Sequence, residues 1–276
     1  MRIKELILVG VLLGLMMGSA AIYVYPSTTS YSIVNYGDEG LSMLAHVFNA
    51  SISLEADVLR DVEALKTAYL IIRSKSVASN EIEEITNFLS RGGYVVASGT
   101  PEFIGSLIKH LNITMKVEGG TICDMVYNYG DRFHPLGFSS YCNTIVVPYV
   151  PYHVVTEGLV VLSYTSNFSY VDVDEDGYMD INEPLGPFPL AVLADVGEGR
   201  LVFISSPHIF TNKLLNLNRE FIQCILGGRN LIIDQADVRQ SFLEYFRLLV
   251  STRGVTYYMF VFLAIVLSLV IYYVFR

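Results

Sequence analysis

The segment Thr67-Ala-Tyr-Leu-Ile-Ile72 constrains the fold most, because it is apolar at successive positions. Side chains of a strand alternate between its two faces, so an unbroken apolar run needs cover on both sides, as parallel strands have. The sequence downstream supplies that cover. Asn80 opens a helical pattern with Glu83 three residues on, the capping-box spacing, and Ile82, Ile85, Phe88 and Leu89 form its apolar stripe. Gly92-Gly93 ends it, Tyr94-Val-Val-Ala-Ser98 follows as a second buried strand, and residues 101–111 read as another helix. Upstream, Ser30-Tyr-Ser-Ile-Val-Asn35 reads as a strand, 41–48 as a helix, and 51–59 holds a further short strand. This alternation predicts an α/β domain with a mainly parallel sheet and helices on both faces.

The second half is richer in β signals. Residues 117–150 carry few helix signals and many Tyr, Gly and Asn residues, and read as an insertion or loop. Residues 158–171 are β-branched and aromatic, as expected of a strand. Residues 188–194 and 200–204 read as strands joined by Asp195-Val-Gly-Glu-Gly199. A helix is expected at 218–226, and an amphipathic one at 237–250.

Both ends are apolar. Residues 6–25 form an uncharged run behind Arg2 and Lys4, and 255–275 form a second one before Arg276. Each has about 20 residues, enough to cross a hydrocarbon core of ~30 Å. Residues 1–25 are thus expected to be a membrane helix or signal anchor, 26–236 the α/β domain, 237–253 a juxtamembrane helix and 254–276 a second membrane helix. Gly18-Ser-Ala20 and Ser19-Ala-Ala21 also suit signal cleavage, so retention and removal of the first run both remain open. The basic start holds the amino terminus inside, which places the central domain outside the cytoplasm at the cell membrane. Gly10, Gly14 and Gly18, at four-residue spacing, would let a partner helix approach closely.

The chain has 18 basic and 27 acidic residues. Only Arg2, Lys4, Glu5 and Arg276 lie outside 26–253, so the central region carries a net charge of −11. Such a field disfavours nucleic acid, which needs a basic surface. Acidity is concentrated in the stretch 172–183. Oxygen side chains fall at Asp172, Asp174, Asp176, Asp180 and Glu183, which are loop positions 1, 3, 5, 9 and 12, with Gly177 at position 6. A twelve-residue calcium loop has this spacing: the carboxylates converge, Tyr178 offers its carbonyl, and the last Glu binds with both oxygens. No EF-hand helix follows, because Pro184, Pro187 and Pro189 exclude a continuous one. The expected ion is a structural Ca2+ between strands.

Three sequons, at Asn49, Asn112 and Asn167, are acceptors for glycosylation in an exported chain. Cys123 and Cys142 are expected to form a disulfide there, leaving Cys224 as a small buried hydrophobe in a helix.

The helix ending in Ser90-Arg-Gly-Gly93 before an apolar strand, together with Gly199-Arg-Leu-Val-Phe-Ile-Ser-Ser-Pro-His-Ile-Phe-Thr-Asn212, resembles the class I glutamine-amidotransferase-like superfamily. The resemblance covers roughly residues 30–228 and is nearest to prokaryotic membrane-anchored members related to the gliding-motility-type auxiliary domains of ABC transporters. It implies a flavodoxin-like sheet. It does not carry an activity over: the turn after Ser98 is Gly99-Thr100-Pro101-Glu102, where an amidotransferase has its cysteine, and no G-x-S-x-G elbow is present.

Ligands of open α/β sheets bind beyond the carboxyl ends of strands. Thr100 and Glu102 follow one such strand, and Ser206, His208 and Asn212 another, as a candidate pocket set against ordinary loop capping. His46 reads as surface or packing, His110 as a helix-end residue, and His134 and His153 as unpaired. The leading expectation is a non-catalytic, membrane-anchored extracytoplasmic domain that acts through protein or ligand binding in the cell envelope. The alternatives are an accessory subunit of an ABC-type transporter and a hydrolase with an unrecognised nucleophile.

Overall fold

The computed structural model describes residues 27–237 together with Gly10, Gly14, Glu244, Tyr245, Arg247, Leu248 and Val266. The apolar runs 6–25 and 255–275 thus lie almost wholly outside the described residues, among which no helix is long and apolar enough to cross a membrane. Of the amphipathic helix expected at 237–250, the described positions Glu244, Tyr245, Arg247 and Leu248 are helical.

The main sheet has nine strands in the order β1 (Ser51–Ser53), β12 (Asn230–Asp234), β2 (Thr67–Arg73), β3 (Tyr94–Gly99), β11 (Gly199–Ile204), β10 (Pro189–Val196), β8 (Val160–Thr165), β5 (Gly137–Ser139) and β6 (Thr144–Val146). From β1 to β11 every pairing is parallel, and from β11 to β6 every pairing is antiparallel. The sheet is therefore mixed, and the mainly parallel expectation holds for one half only. The change of direction falls at β10–β11, whose connection is too short for a crossover: Val196 already faces Gly199, with Gly197 at φ +62° in the turn.

Period-two alternation sorts the core. Ala68, Leu70 and Ile72 of β2 pack in one cluster with Leu44 of α1 (Ser42–Val47) and Leu215, Phe221, Ile222 and Ile225 of α4 (Leu215–Leu226). Tyr69 and Ile71 pack in another, with Ile82, Ile85, Phe88 and Leu89 of α2 (Ser79–Ser90) and Phe103, Ile104 and Leu107 of α3 (Pro101–His110). The four expected stripe residues of α2 are all buried. Its start differs from expectation. The N-cap is Ala78 and makes no side-chain cap, because the chain turns helical at Ser79 and leaves Asn80 inside the first turn.

Other departures have local causes. Residues 30–35 form turns, because Gln235 takes up their backbone: its Oε1 accepts from Ile33 N at 2.9 Å and its Nε2 donates to Tyr31 O at 2.9 Å. Residues 117–150, expected as an insertion or loop, are a loop only in part. They contribute most of β4 (Met115–Asp124), in which a register shift between Glu118 and Thr121 absorbs the Gly119-Gly120 pair as a bulge. β4 lies between β7 (Tyr152–Thr156) and β9 (Ser169–Asp172) in a second, antiparallel sheet. The apolar stretch 158–171 is accordingly two strands, β8 and β9, divided between the sheets by a turn in which Ser169 N donates to Ser166 O.

This division also overturns the disulfide. Cys123 is fully buried in the second sheet and free, whereas Cys142, in the β5–β6 turn, is bonded to Cys224 of α4 with a Cα–Cα distance of 5.9 Å. Cys224 is thus a cross-link to the edge of the main sheet. The bridge closes a span of 82 residues, so Cys142→Ala should cost about 2–4 kcal/mol, read as a lower denaturation midpoint. Peptide mapping without reduction should recover 142 joined to 224. A fragment joining 123 to 142 would contradict the assignment.

Candidate metal centre and sheet-edge pocket

The acidic loop leaves the end of β9, where Asp172 pairs with Thr121 of β4 and is 1% exposed. Asp172 Oδ2 accepts from Gly177 N at 2.9 Å. Its Oδ1 is buried and has no hydrogen-bond partner. Burial is the main reason that the Asp172 carboxyl is pushed above the usual carboxylate range, and Glu183 and Asp174 add to the push. Ligand oxygens of Asp172, Asp174 and Asp176 lie within 4.8 Å of one another. Asp174 Oδ1 accepts from Asp176 N at 3.3 Å, and Asp176 Oδ1 from Tyr178 N at 2.7 Å, so short Asx turns aim these carboxylates. Gly177 sits at φ +79°, and a Cβ there would approach the Arg132 guanidinium to 3.1 Å. That guanidinium lies 4.7 Å from the centre of the Tyr178 ring, and Tyr170 Oη donates to Gly177 O at 3.0 Å.

Three of the six expected ligands are therefore brought together. Glu183 closes the loop by another route: its Oε1 accepts from Val173 N at 2.8 Å and its Oε2 from Asp180 N at 3.0 Å. Asp180 contributes here through its backbone. A buried carboxylate oxygen without a donor, next to two exposed carboxylates, is a donor set that fits a hard cation.

The second feature is a cavity of about 380 Å3 at the carboxyl ends of β2, β3 and β12. Gly99 ends β3 at φ +146°, and a Cβ there would sit 2.0 Å from Arg73 O, so only glycine lets the strand ends close this tightly. Thr100 lines the cavity and caps α3, accepting from Phe103 N at 3.4 Å. His208 lines it too. Its Nδ1 lies 3.4 Å from Glu39 Oε2 and its Nε2 3.3 Å from Tyr31 Oη, while its ring meets Tyr149 edge-on at 5.0 Å.

Glu102, Ser206 and Asn212 do not line this cavity. Glu102 is exposed in the first turn of α3, where a negative charge favours the dipole. Ser206 is fully buried and donates to Tyr149 O at 2.6 Å. Asn212 ties down the entry to α1, accepting from Met43 N at 2.9 Å and donating to Gly37 O at 2.7 Å.

Sequence reasoning missed the floor of the cavity. Arg73 is held by Asp234 (Nε–Oδ2, 2.6 Å) and Glu81 (Nη1–Oε2, 2.6 Å), with side-chain exposures of 5%, 1% and 20%. Burial alone would lower the Arg73 pKa, but hydrogen bonds and charge from Asp234 and Glu81 outweigh it and raise the value. Tyr31, Tyr152 and Gln235 complete the wall. The signal was the unread apolar run of β12 behind Gly227-Gly228, a buried strand flanked by glycine.

Two histidines expected to be unpaired have partners. His134 Nδ1 lies 2.9 Å from Asp131 Oδ1, with the ring stacked on Tyr149, and His153 Nδ1 lies 3.6 Å from Glu118 Oε2. Burial, as the leading cause, lowers the pKa of His153 and His208 against the pull of Glu118 and Glu39. Both favour the neutral form when folded. Their contribution is complete above about pH 6.5 and is lost as pH falls through the depressed folded values. Thermal melts should therefore shift downward below pH 6.5, and the double variant His153→Asn, His208→Asn should flatten that shift.

Cys123 is buried, and burial pushes its thiol up to about 12, away from the thiolate that a nucleophile needs. Asn49, Asn112 and Asn167 are all exposed.

No curated protein matches the chain in sequence. Among solved structures it is similar to the mmIFT52 N-terminal domain, at 15% identity over 63% of this chain and 81% of that one, with a TM-score of 0.44. It is also similar to the cold-adapted β-galactosidase from Rahnella sp. R3, at 13% identity over 58% of this chain and 22% of that one, with a TM-score of 0.39. A third is the cytoplasmic protein STM1381 from Salmonella typhimurium LT2, at 13% identity over 67% and 79% of the two chains, with a TM-score of 0.34. A family model described as Domain of unknown function (DUF4350) matches residues 37–223, most of the chain, and the protein belongs to that family.

Proposed function

We propose that the chain is a non-catalytic, membrane-anchored binding domain of the cell envelope, lying outside the cytoplasm and braced by one structural calcium ion. The observation that carries the metal is Asp172 Oδ1, a buried acceptor without a donor beside Asp174 and Asp176. Asp180, Glu183 and the Tyr178 carbonyl complete the ligand set when the ion is present. Calcium would supply the positive charge that these oxygens lack, and β9 and the β4 strand beside it would be held in place. The extracytoplasmic reading is supported by the uncharged terminal runs, the Cys142–Cys224 bridge and the exposed sequons. The non-catalytic reading is supported by Gly99-Thr100-Pro101 at the strand-to-helix turn and by the inert Cys123.

Calorimetric titration of the full-length chain should show one calcium bound with a dissociation constant of about 1 mM or tighter, the range of extracellular modules. Asp172→Ala should abolish it. No heat at about 10 mM calcium would sink the reading. For the location, protease added to intact cells whose envelope admits it should degrade the central domain, and full protection would count against an extracytoplasmic site.

A further inference from the structure

We propose that the sheet-edge cavity binds an uncharged, polyhydroxylated ligand, a short saccharide, through Tyr31, Tyr152 and the hydroxyl-bearing rim formed by Thr29 and Ser30. This inference stands apart from the calcium reading, because the cavity and the acidic loop share no residue, although Tyr152 and Asp172 both pair with Thr121 of β4.

Charge selects the class. Arg73 is the cation lining the cavity, and Asp234 and Glu81 hold it from two sides. A phosphate or carboxylate would have to break that buried pairing to be recognised, leaving two acids uncompensated. The carboxylates are engaged as well. Asp234 Oδ2 accepts from Arg73, its Oδ1 from Ala236 N at 3.3 Å, and Asp237 Oδ2 from Ser74 N at 3.0 Å and Ser74 Oγ at 3.2 Å. An amine finds no free carboxylate pair comparable to the metal loop.

What remains open is neutral and polar. The side chains of Tyr152 and Ser30 make no hydrogen bond to another described residue, and both line the cavity. Tyr31 Oη is shared with His208 Nε2, and the neutral imidazole, with Nδ1 turned to Glu39, is set to accept that proton. The phenol oxygen then presents its lone pairs as acceptors. Burial raises the pKa of both phenols, so each stays a hydroxyl. Ile72, Val150 and Pro207 contribute apolar wall to the same cavity. Apolar and aromatic side chains together with hydroxyl donors and acceptors match a sugar, whose rings carry C–H faces and an equatorial rim of hydroxyls. The volume, about 380 Å3, falls in the range of small-molecule sites.

The test is calorimetric titration of the full-length protein with cellobiose, lactose and N,N′-diacetylchitobiose, with inorganic phosphate and spermidine as charged comparators. At least one disaccharide should bind with a dissociation constant of about 1 mM or tighter. Tyr152→Ala should weaken it at least tenfold, and Tyr152→Phe, which keeps the ring, about fivefold, the value of one hydrogen bond near 1 kcal/mol. The phenylalanine variant remains interpretable if the alanine variant fails to fold. The proposal is overturned if none of the three sugars binds, if binding ignores both substitutions, or if phosphate or spermidine binds there instead. Loss of calcium binding in Asp172→Ala with sugar binding intact would leave this site standing alone, and the reverse result would leave only the metal.

Discussion

Calcium at about 10 mM, added to the chelated full-length protein, should raise its unfolding midpoint by about 5–10 °C. The size follows from linkage: an ion that binds only the folded chain, present at about 100 times its dissociation constant, stabilises by about 2.7 kcal/mol, and each kcal/mol moves the midpoint of a domain of this size by roughly 2–4 °C. The direction follows from Asp172. Folding buries its carboxylate to 1% exposure, sets Gly177 N as a donor to Oδ2, and leaves Oδ1 bare. Without an ion the folded state carries that desolvation, along with repulsion from Asp174 and Glu183. Asp172→Ala, which removes the buried carboxylate itself, should ignore calcium. Glu183→Gln should weaken the response, since it keeps the hydrogen bond to Val173 N while removing charge. An identical melting curve across calcium concentrations in the unmodified protein would refute the structural role.

Much of this arrangement was legible in the chain because it depends on local periodicity. The two-face apolarity of β2, the stripe of α2 and the glycines before β3 each report burial at spacings of a few residues, and all three elements stand where expected. The acidic triad was legible for the same reason, since Asp172, Asp174 and Asp176 lie within five residues. What the sequence hid was long-range. The Arg73–Asp234 pair joins residues 161 apart, and Gln235 satisfies the backbone of Tyr31 and Ile33 from over 200 residues away, turning a strand-like segment into turns. The disulfide was misassigned because the assignment needs to know that β4 and the β5–β6 turn belong to different sheets. The pocket was half-seen: Thr100 and His208 follow strand ends, but the wall formed by Tyr31 and Tyr152 comes from segments with no periodic signal.

The largest single-site effect should come from Asp234→Ala, at about 3–5 kcal/mol. Arg73 ends β2 with a guanidinium 5% exposed, and Asp234, 1% exposed, ends the neighbouring β12. Removing the carboxylate leaves a buried charge that retains only Glu81 of α2, which is itself partly solvated at 20%. Arginine cannot escape by losing its proton, because its pKa is far above neutral and is raised further here. The folded state must either carry the unpaired charge or open the strand ends to water. The double variant Arg73→Met, Asp234→Leu separates these terms: if the cost is an uncompensated ion, replacing the pair by apolar groups of similar volume should recover most of the loss. If it stays as unstable as Asp234→Ala, then the pair acts by fixing strand geometry through its hydrogen bonds. In that case the cavity that Arg73 and Asp234 help to line should lose its ligand in both variants. Chemical denaturation of the three proteins gives the energies, and the midpoint must move without a change in slope for the comparison to be one of stability.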